Sequence, residues 1–284
     1  MLMLKAYAKI NVALKILGKD EKDGYHYVDM VTLPIELHDR IEMELLPQNY
    51  DSIITCDDKS LPTDESNIVY KTLKLVKETY NIDKKVRIHI HKEIPMCAGL
   101  GGGSSDGATV LIGLNKLFKL HLSMDELCYL GAKIGSDVPL CLKGTPARVT
   151  SKGEKIEKIK VKKSFYCLLL KPNVGLSTKD VYQKYDECNF KKEFDIDELI
   201  NGLMHDDIEK IECNMGNDLE DPAFELSKEV EKVKNLLVDS KLPLTLMTGS
   251  GSCVYSLSHD YKKLERIQDE LKKLGYNTYL TKTL

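Results

Sequence analysis

The chain has 284 residues, 42% hydrophobic and 30% charged, with a formal net charge of −3. This suits a soluble globular protein of two ordinary domains or one large one. The charge gives no bulk electrostatic argument for nucleic acid, and no apolar run reaches the ~18 residues of a membrane span.

Residues 5–17 alternate, with Ala6, Ala8, Ile10, Val12, Leu14 and Ile16 on one face and Lys5, Tyr7, Lys9, Asn11 and Lys15 on the other. Period two predicts a strand with one buried face. Lys9 and Asn11 then sit side by side on its polar face, where Lys9 reads equally as a solvated lysine. Asp23-Gly24 is a turn signal, and Tyr25-His26 follow it as a pair able to stack on a base and bond its edge. Val28 to Leu46 reads as strand broken near Pro34, and Asp51 to Asp58 as another short strand. Ser66 is expected to cap a helix carrying Val69, Thr72, Leu73, Val76 and Tyr80 at helical spacing, with Asn67 in its first turn. Val86 to His91 alternates as a strand. His89 and His91 share a face at metal-ligand spacing, but no third ligand is evident in the sequence. They read as partly exposed strand histidines, and no metal-ligand set is assigned.

The stretch Pro95-Met-Cys-Ala-Gly-Leu-Gly-Gly-Gly-Ser-Ser-Asp106 places Gly99, Gly101, Gly102 and Gly103 just before a helical pattern. Such a turn offers free N–H groups and the positive end of a helix to phosphate. It is not a P-loop, because no lysine follows the glycines. Nor is it the dinucleotide fingerprint, whose third glycine would fall at Ser104. The helix beyond carries Ala108, Leu111, Leu114 and Phe118. A second begins at Ser123 with Glu126 in capping-box position and ends at Gly135. Asp137 follows as a loop or cap residue before the apolar run Val138 to Leu142.

Ala147 to Ile159 predicts a strand pair, and Phe165 to Leu170 a buried strand. A loop then leads into a helix with Val181, Tyr182 and Tyr185. Residues 191–212 read as helical, Asn214 to Asp218 as a turn, and Ala223 to Val238 as one amphipathic helix. Two apolar runs flank Thr248-Gly-Ser-Gly-Ser252 as a possible hairpin. A helix over Lys262 to Leu274 and a strand over Tyr276 to Leu280 complete an α+β pattern. The eight cysteines form no C-x-x-C pair, so they read as reduced thiols of a cytoplasmic protein. The N-terminus shows no signal-peptide pattern.

Pro95-x-x-x-Gly-Leu-Gly-Gly-Gly-Ser-Ser105 resembles the central ATP motif of the GHMP kinases (galacto-, homoserine, mevalonate and phosphomevalonate kinases). Lys5-Ala-Tyr-Ala-Lys-Ile-Asn-Val-Ala-Leu14 and Thr248-Gly-Ser-Gly-Ser252 resemble its N- and C-terminal motifs, in matching order. Asp23-Gly-Tyr-His26, with Asp39-Arg-Ile41 after it, and Gly135-Ser-Asp-Val-Pro139 resemble one branch, whose acceptor is a cytidyl-diphosphate sugar alcohol of the non-mevalonate isoprenoid route. Cys97-Ala98 and Gly107 depart from the usual spelling, where glycines and an alanine are common.

The resemblance implies a two-domain GHMP kinase fold: a ribosomal S5 domain 2-like N-terminal domain over 1–160 and a ferredoxin-like α/β domain over 161–284. It implies Asp137 as base for the acceptor hydroxyl and Lys9 as the cation that stabilises charge at the transferred phosphoryl. ATP, with Mg²⁺, would be held by Asn67, Lys92, Pro95, Met96, Cys97, Ala98, Gly99, Leu100, Gly101, Gly102, Gly103, Ser104 and Ser105. The acceptor would meet Asn11, Tyr25, His26, Tyr182, Gly249 and Ser250, with the cytosine between Tyr25 and Tyr182. A monomer or weak homodimer without nucleic-acid or membrane partners is expected. A mevalonate- or homoserine-type kinase and a non-catalytic, nucleotide- or RNA-binding relative are the competing readings.

Overall fold

The computed structural model describes residues 1–188 and 192–284. The chain forms two compact units, each drawn from several segments. The first comprises Met1–Ala8, Leu37–Ile94 and Gly101–Gly144; the second comprises Lys9–Glu36, Pro95–Leu100 and Thr145–Leu284. Strands β1 (Leu2–Lys19) and β2 (His26–Leu46) contribute to both. The inward face of β1 is buried as its alternation predicts, and from Ile10 to Leu14 both faces are covered, Asn11 included. The break expected near Pro34 does not occur, because β2 is continuous there. Pro34 has no N–H to place, and its carbonyl accepts from Leu284 N–H at 2.9 Å.

In the first unit, β3 (Ile53–Cys56) runs parallel to β4 (Lys85–His91), which pairs antiparallel with Arg40–Leu46 of β2. Helices α1 (Ile68–Thr79), α2 (Gly102–Phe118), α3 (Met124–Ile134) and α4 (Val138–Lys143) complete it. Its core joins Ile41, Met43, Ile88, Val110, Leu111 and Leu114 with the helix stripes. Burial of such side chains is the main stabilising term, at about 25 cal/mol per Å² of apolar surface.

Helix boundaries depart from expectation at two points. Asn67, not Ser66, caps α1: its Oδ1 accepts from Val69 N–H at 2.8 Å, while the Ser66 hydroxyl donates to Asp64. The Val138 to Leu142 run is a helix with Pro139 in its first turn, where a missing N–H is tolerated. The capping box of Ser123 and Glu126 forms as predicted. Gly107 packs closely on α1, where a Cβ would meet Ile68 Cγ1 at 3.2 Å, a tight contact that a small shift of the Ile68 side chain would relieve.

In the second unit, β5 (Ala147–Ser151) and β6 (Lys155–Lys158) form the expected antiparallel pair, and β5 also pairs with Val28–Thr32 of β2. Then come β7 (Tyr166–Lys171), α5 (Thr178–Glu187), α6 (Ile196–His205) and α7 (Ile208–Asn214). The first residue of the expected 191–212 helix lies outside the described residues. The expected turn at Asn214 to Asp218 contains a short strand instead, β8 (Gly216–Asn217), parallel to Ala13–Leu14 of β1.

Helices α8 (Glu220–Leu226) and α9 (Lys228–Asp239) replace the single helix expected over 223–238, because Ser227 is extended. Strands β9 (Leu244–Met247) and β10 (Val254–Ser258) form the hairpin, and α10 (Tyr261–Lys273) and β11 (Asn277–Lys282) follow. The antiparallel order β11-β7-β10-β9, with helices after β7 and β10, is the β-α-β-β-α-β ferredoxin-like arrangement. Among the described residues no helix is long and apolar enough to cross a membrane.

Candidate active site

Within the second unit the two glycine motifs meet. The Asn11 N–H donates to Thr248 Oγ1 at 3.0 Å, and that hydroxyl donates to Gly99 O at 3.2 Å. Cys253 N–H donates to Ala98 O at 3.3 Å, and Lys9 N–H to Leu100 O at 3.0 Å. Gly99 has φ 73°, and a Cβ there would lie 2.0 Å from Thr248 O, so only glycine permits the approach. Asn217 braces the β9–β10 turn, its Nδ2 donating to Met247 O and Gly249 O, each at 2.8 Å. Gly249 and Ser250 are buried, and Ser250 Oγ lies 2.9 Å from Thr178 Oγ1. On β1, Lys9 Nζ donates to Asn11 Oδ1 at 2.5 Å. A buried Asn11 thus aims a lysine while its backbone holds the glycine turn.

In the first unit, α2 begins inside the glycine run. Gly101 is its N-cap, left-handed at φ 70°, with no side-chain cap. Ser105 N–H donates to Gly101 O at 2.9 Å as the first helical bond. The N–H groups of Gly102, Gly103 and Ser104 therefore precede the helical ladder, at the positive end of a 17-residue helix. Free N–H groups at a helix N-terminus are the kind of feature that can receive phosphate.

Behind it lies a buried ion cluster. Lys92 Nζ donates to Asp39 Oδ2, and to Asp106 Oδ2 at 2.9 Å. Asp39 Oδ1 accepts from Glu93 N–H at 2.6 Å and Ile94 N–H at 2.8 Å. Burial opposes the Lys92 charge, but Asp106 and Asp39 outweigh it and hold the ammonium above its usual range. Burial also drives the Asp106 carboxyl up, to about 8. Its Oδ1 is buried and without a hydrogen-bond partner.

A third group surrounds His26 in the second unit. His26 Nε2 lies 2.6 Å from Asp186 Oδ1, whose other oxygen accepts from Lys19 Nζ at 2.5 Å. Tyr182 packs on the His26 ring with centroids 4.8 Å apart, and Tyr185 meets it edge-on at 6.3 Å. Tyr182, Tyr185 and Asp186 share one face of α5 through i, i+3, i+4 spacing. Burial works against ionisation of Asp186, yet the Lys19 and His26 bonds prevail and hold its carboxyl below the usual range. The loop before His26 is anchored by Lys152 Nζ, which donates to Asp20 and Asp23 at 2.7 Å each. The bond from Lys152, with those from Lys22 N–H and the Tyr27 hydroxyl, lowers Asp20 to about 2.

Residues 67–145 match the family described as GHMP kinases N terminal domain, and residues 198–277 match GHMP kinases C terminal. A 4-diphosphocytidyl-2-C-methyl-D-erythritol kinase of Bacillus cytotoxicus is 42% identical over 284 residues, covering 100% of this chain and 97% of that protein. One of Clostridium acetobutylicum is 38% identical, covering 99% of each. The chain belongs to the GHMP kinase family. A crystal structure of 4-(cytidine 5'-diphospho)-2C-methyl-D-erythritol kinase superposes with TM-score 0.83 at 28% identity, covering 99% of both chains. Homoserine kinase from Cytophaga hutchinsonii shares the fold, with TM-score 0.74 at 18% identity over 99% of this chain and 94% of that one.

The positions expected to serve this GHMP kinase can now be placed. Gly99, Leu100, Lys9, Asn11, Gly249 and Ser250 are brought together in the second unit, as are His26 and Tyr182. Tyr25 stands 59% exposed beyond the turn, and Cys97 is exposed while Ala98 is buried. Pro95 and Met96 lead into the loop, partly buried. In the first unit, Gly101 to Ser105 form the cap and first turn of α2. The Asn67 amide is engaged by its own fold, with Nδ2 donating to Pro62 O at 2.5 Å. The Lys92 ammonium faces two carboxylates. Asp137 precedes α4 as its N-cap residue, with αR backbone and no side-chain capping hydrogen bond. Sequence reasoning missed the partners of Asp39, Asp106 and Asp186, which lie 14 to 167 residues away. Asp39 and Asp106 were visible as members of motifs, but the ion pairs they make were not.

Proposed function

We propose that this GHMP kinase transfers the γ-phosphoryl of ATP to the 2-hydroxyl of 4-diphosphocytidyl-2-C-methyl-D-erythritol, in non-mevalonate isoprenoid precursor synthesis. The His26 site carries this choice of acceptor. With its Nε2–H donated to Asp186, a neutral imidazole keeps its lone pair on Nδ1. That lone pair suits the exocyclic amine of cytosine, a donor. Tyr25 and Tyr182 offer aromatic faces, and stacking contributes ~1–3 kcal/mol per base. Mevalonate and homoserine have no base to use such a site.

In this reading the α2 N-terminus and the Gly99 turn hold the ATP phosphates. Asp137 accepts the acceptor hydroxyl proton, and Lys9, aimed by Asn11, stabilises charge on the transferred group. Phosphoryl transfer asks chiefly for such positioning and charge stabilisation. Magnesium bound with ATP would supply further neutralisation of the phosphates. Asp106 Oδ1, a buried oxygen with no partner, is the group that fits the ion, since a nearby cation favours the ionised carboxyl that burial disfavours. The protein acts as a cytoplasmic monomer or weak homodimer. The test is acceptor-dependent ADP release with the cytidyl substrate against mevalonate and homoserine.

Asp186 acts here as a positioning residue. Asp186→Ala frees the His26 ring and is expected to raise KM for the cytidyl acceptor about tenfold, the worth of one hydrogen bond, with kcat and KM for ATP little changed. Steady-state kinetics with each substrate varied checks this, and Asp186→Glu should recover part of the loss.

A further inference from the structure

Asp57, at the end of β3, joins His89 and His91 of β4 in a group whose ligand atoms all lie within 4.8 Å of one another. We propose that these three residues bind a divalent transition ion, with zinc the ion their chemistry suits. Two imidazoles and a carboxylate form a zinc donor set that leaves a fourth position open to water.

The surroundings prepare each donor. His89 Nδ1 lies 2.7 Å from Thr55 Oγ1, and His91 Nε2 lies 3.1 Å from Glu42 Oε1. A neutral imidazole has one N–H and one lone pair. With the N–H given to Thr55 or Glu42, the lone pairs stand on His89 Nε2 and His91 Nδ1. Metal-binding histidines are oriented in this way by a carboxylate or other oxygen on the second nitrogen. Asp57 is arranged likewise: its Oδ1 accepts from Lys92 N–H at 2.9 Å, while Oδ2 lies 3.4 Å from His91 Nδ1. That separation is close to the ~3.4 Å edge of a tetrahedron built on zinc–ligand distances of about 2.0–2.1 Å. The two imidazoles lie side by side, with planes at 79° and centroids 4.4 Å apart.

The sequence showed only the two histidines. The third ligand comes from the parallel neighbour strand, which sequence spacing does not reveal. An ion here would clip β3 to β4 directly before Lys92.

The experiment is calorimetric titration of chelator-treated, tag-free protein with Zn²⁺, alongside the visible spectrum with Co²⁺. One ion per chain and a tetrahedral Co²⁺ spectrum without thiolate charge-transfer bands are expected. His89→Gln and His91→Gln should each weaken binding at least tenfold, and Glu42→Gln about tenfold, with far-ultraviolet circular dichroism unchanged. The eight free cysteines are the competing ligands. Thiolate bands with Co²⁺, unchanged affinity in the His89→Gln/His91→Gln double variant, or no binding by wild type would each overturn the proposal.

Discussion

Asp137→Asn is expected to lower kcat by about 10²–10⁴-fold, the range of a positioned general base, while leaving the fold intact. The structural half of this expectation rests on α4. Asp137 precedes that helix with αR backbone and no side-chain cap bond, so an isosteric amide costs the helix little. KM for ATP should change little, since the proposed function gives the phosphates to the backbone of the glycine segment. Lys9→Met removes the other charged member and should cost about 10²–10³-fold, as loss of one charge-stabilising group does. If the two serve one step, the double variant falls little below the worse single one, because groups that act as a unit are not additive. Single-turnover ADP formation in the three variants, with circular dichroism as the folding control, decides it. Full additivity would argue against a shared step.

Lys92→Met carries the largest expected effect on stability. The Lys92 side chain is 5% exposed, and its partners Asp39 and Asp106 are 0% and 3% exposed. Removing the ammonium leaves the buried Asp39 and Asp106 carboxyl groups without the cation that both of them bond. Breaking a buried ionic group from one side costs about 3–5 kcal/mol, a large part of the 5–15 kcal/mol that holds a domain together. Urea unfolding of the variant should show this loss. Adding Asp106→Leu should recover part of it, because one of the orphaned buried polar groups goes with it. A Lys92→Met protein as stable as wild type would mean that the cluster does not carry the first unit's fold.

The sign of a pH effect at this cluster follows from burial. Asp106 has its folded-state value raised to about 8, above the ~3.9 of a free aspartate. Its contribution to stability is complete below the unfolded value and is lost as pH rises through the folded one.

The amino-acid pattern reveals more of the fold than of the charge network. The alternation of residues 5–17 depends on local geometry alone, and β1 follows it. The capping box at Ser123 and the hairpin around Thr248 are likewise local signals. Ser227 escapes such reading because α8 and α9 continue one apolar periodicity across it. β8 escapes because two residues cannot show a period; its marker is Gly216, where a Cβ would lie 2.2 Å from the Phe194 ring. The glycine segment announces phosphate, and His26 a partner for a base. Asp39, Asp106 and Asp186 are ordinary acids until tertiary structure gives them Lys92 and His26, because a buried ion pair leaves no spacing rule in sequence. The Asp57 carboxylate beside His89 and His91 belongs to the same class.

The most direct measurement is ADP release by the wild-type protein with ATP and Mg²⁺, with and without 4-diphosphocytidyl-2-C-methyl-D-erythritol. Release that depends on this acceptor, with none above background for mevalonate or homoserine, and phosphate found on the 2-hydroxyl by phosphorus NMR, is the predicted result. Release that is indifferent to the cytidyl acceptor, or faster with mevalonate or homoserine, would contradict the assignment of the His26 site.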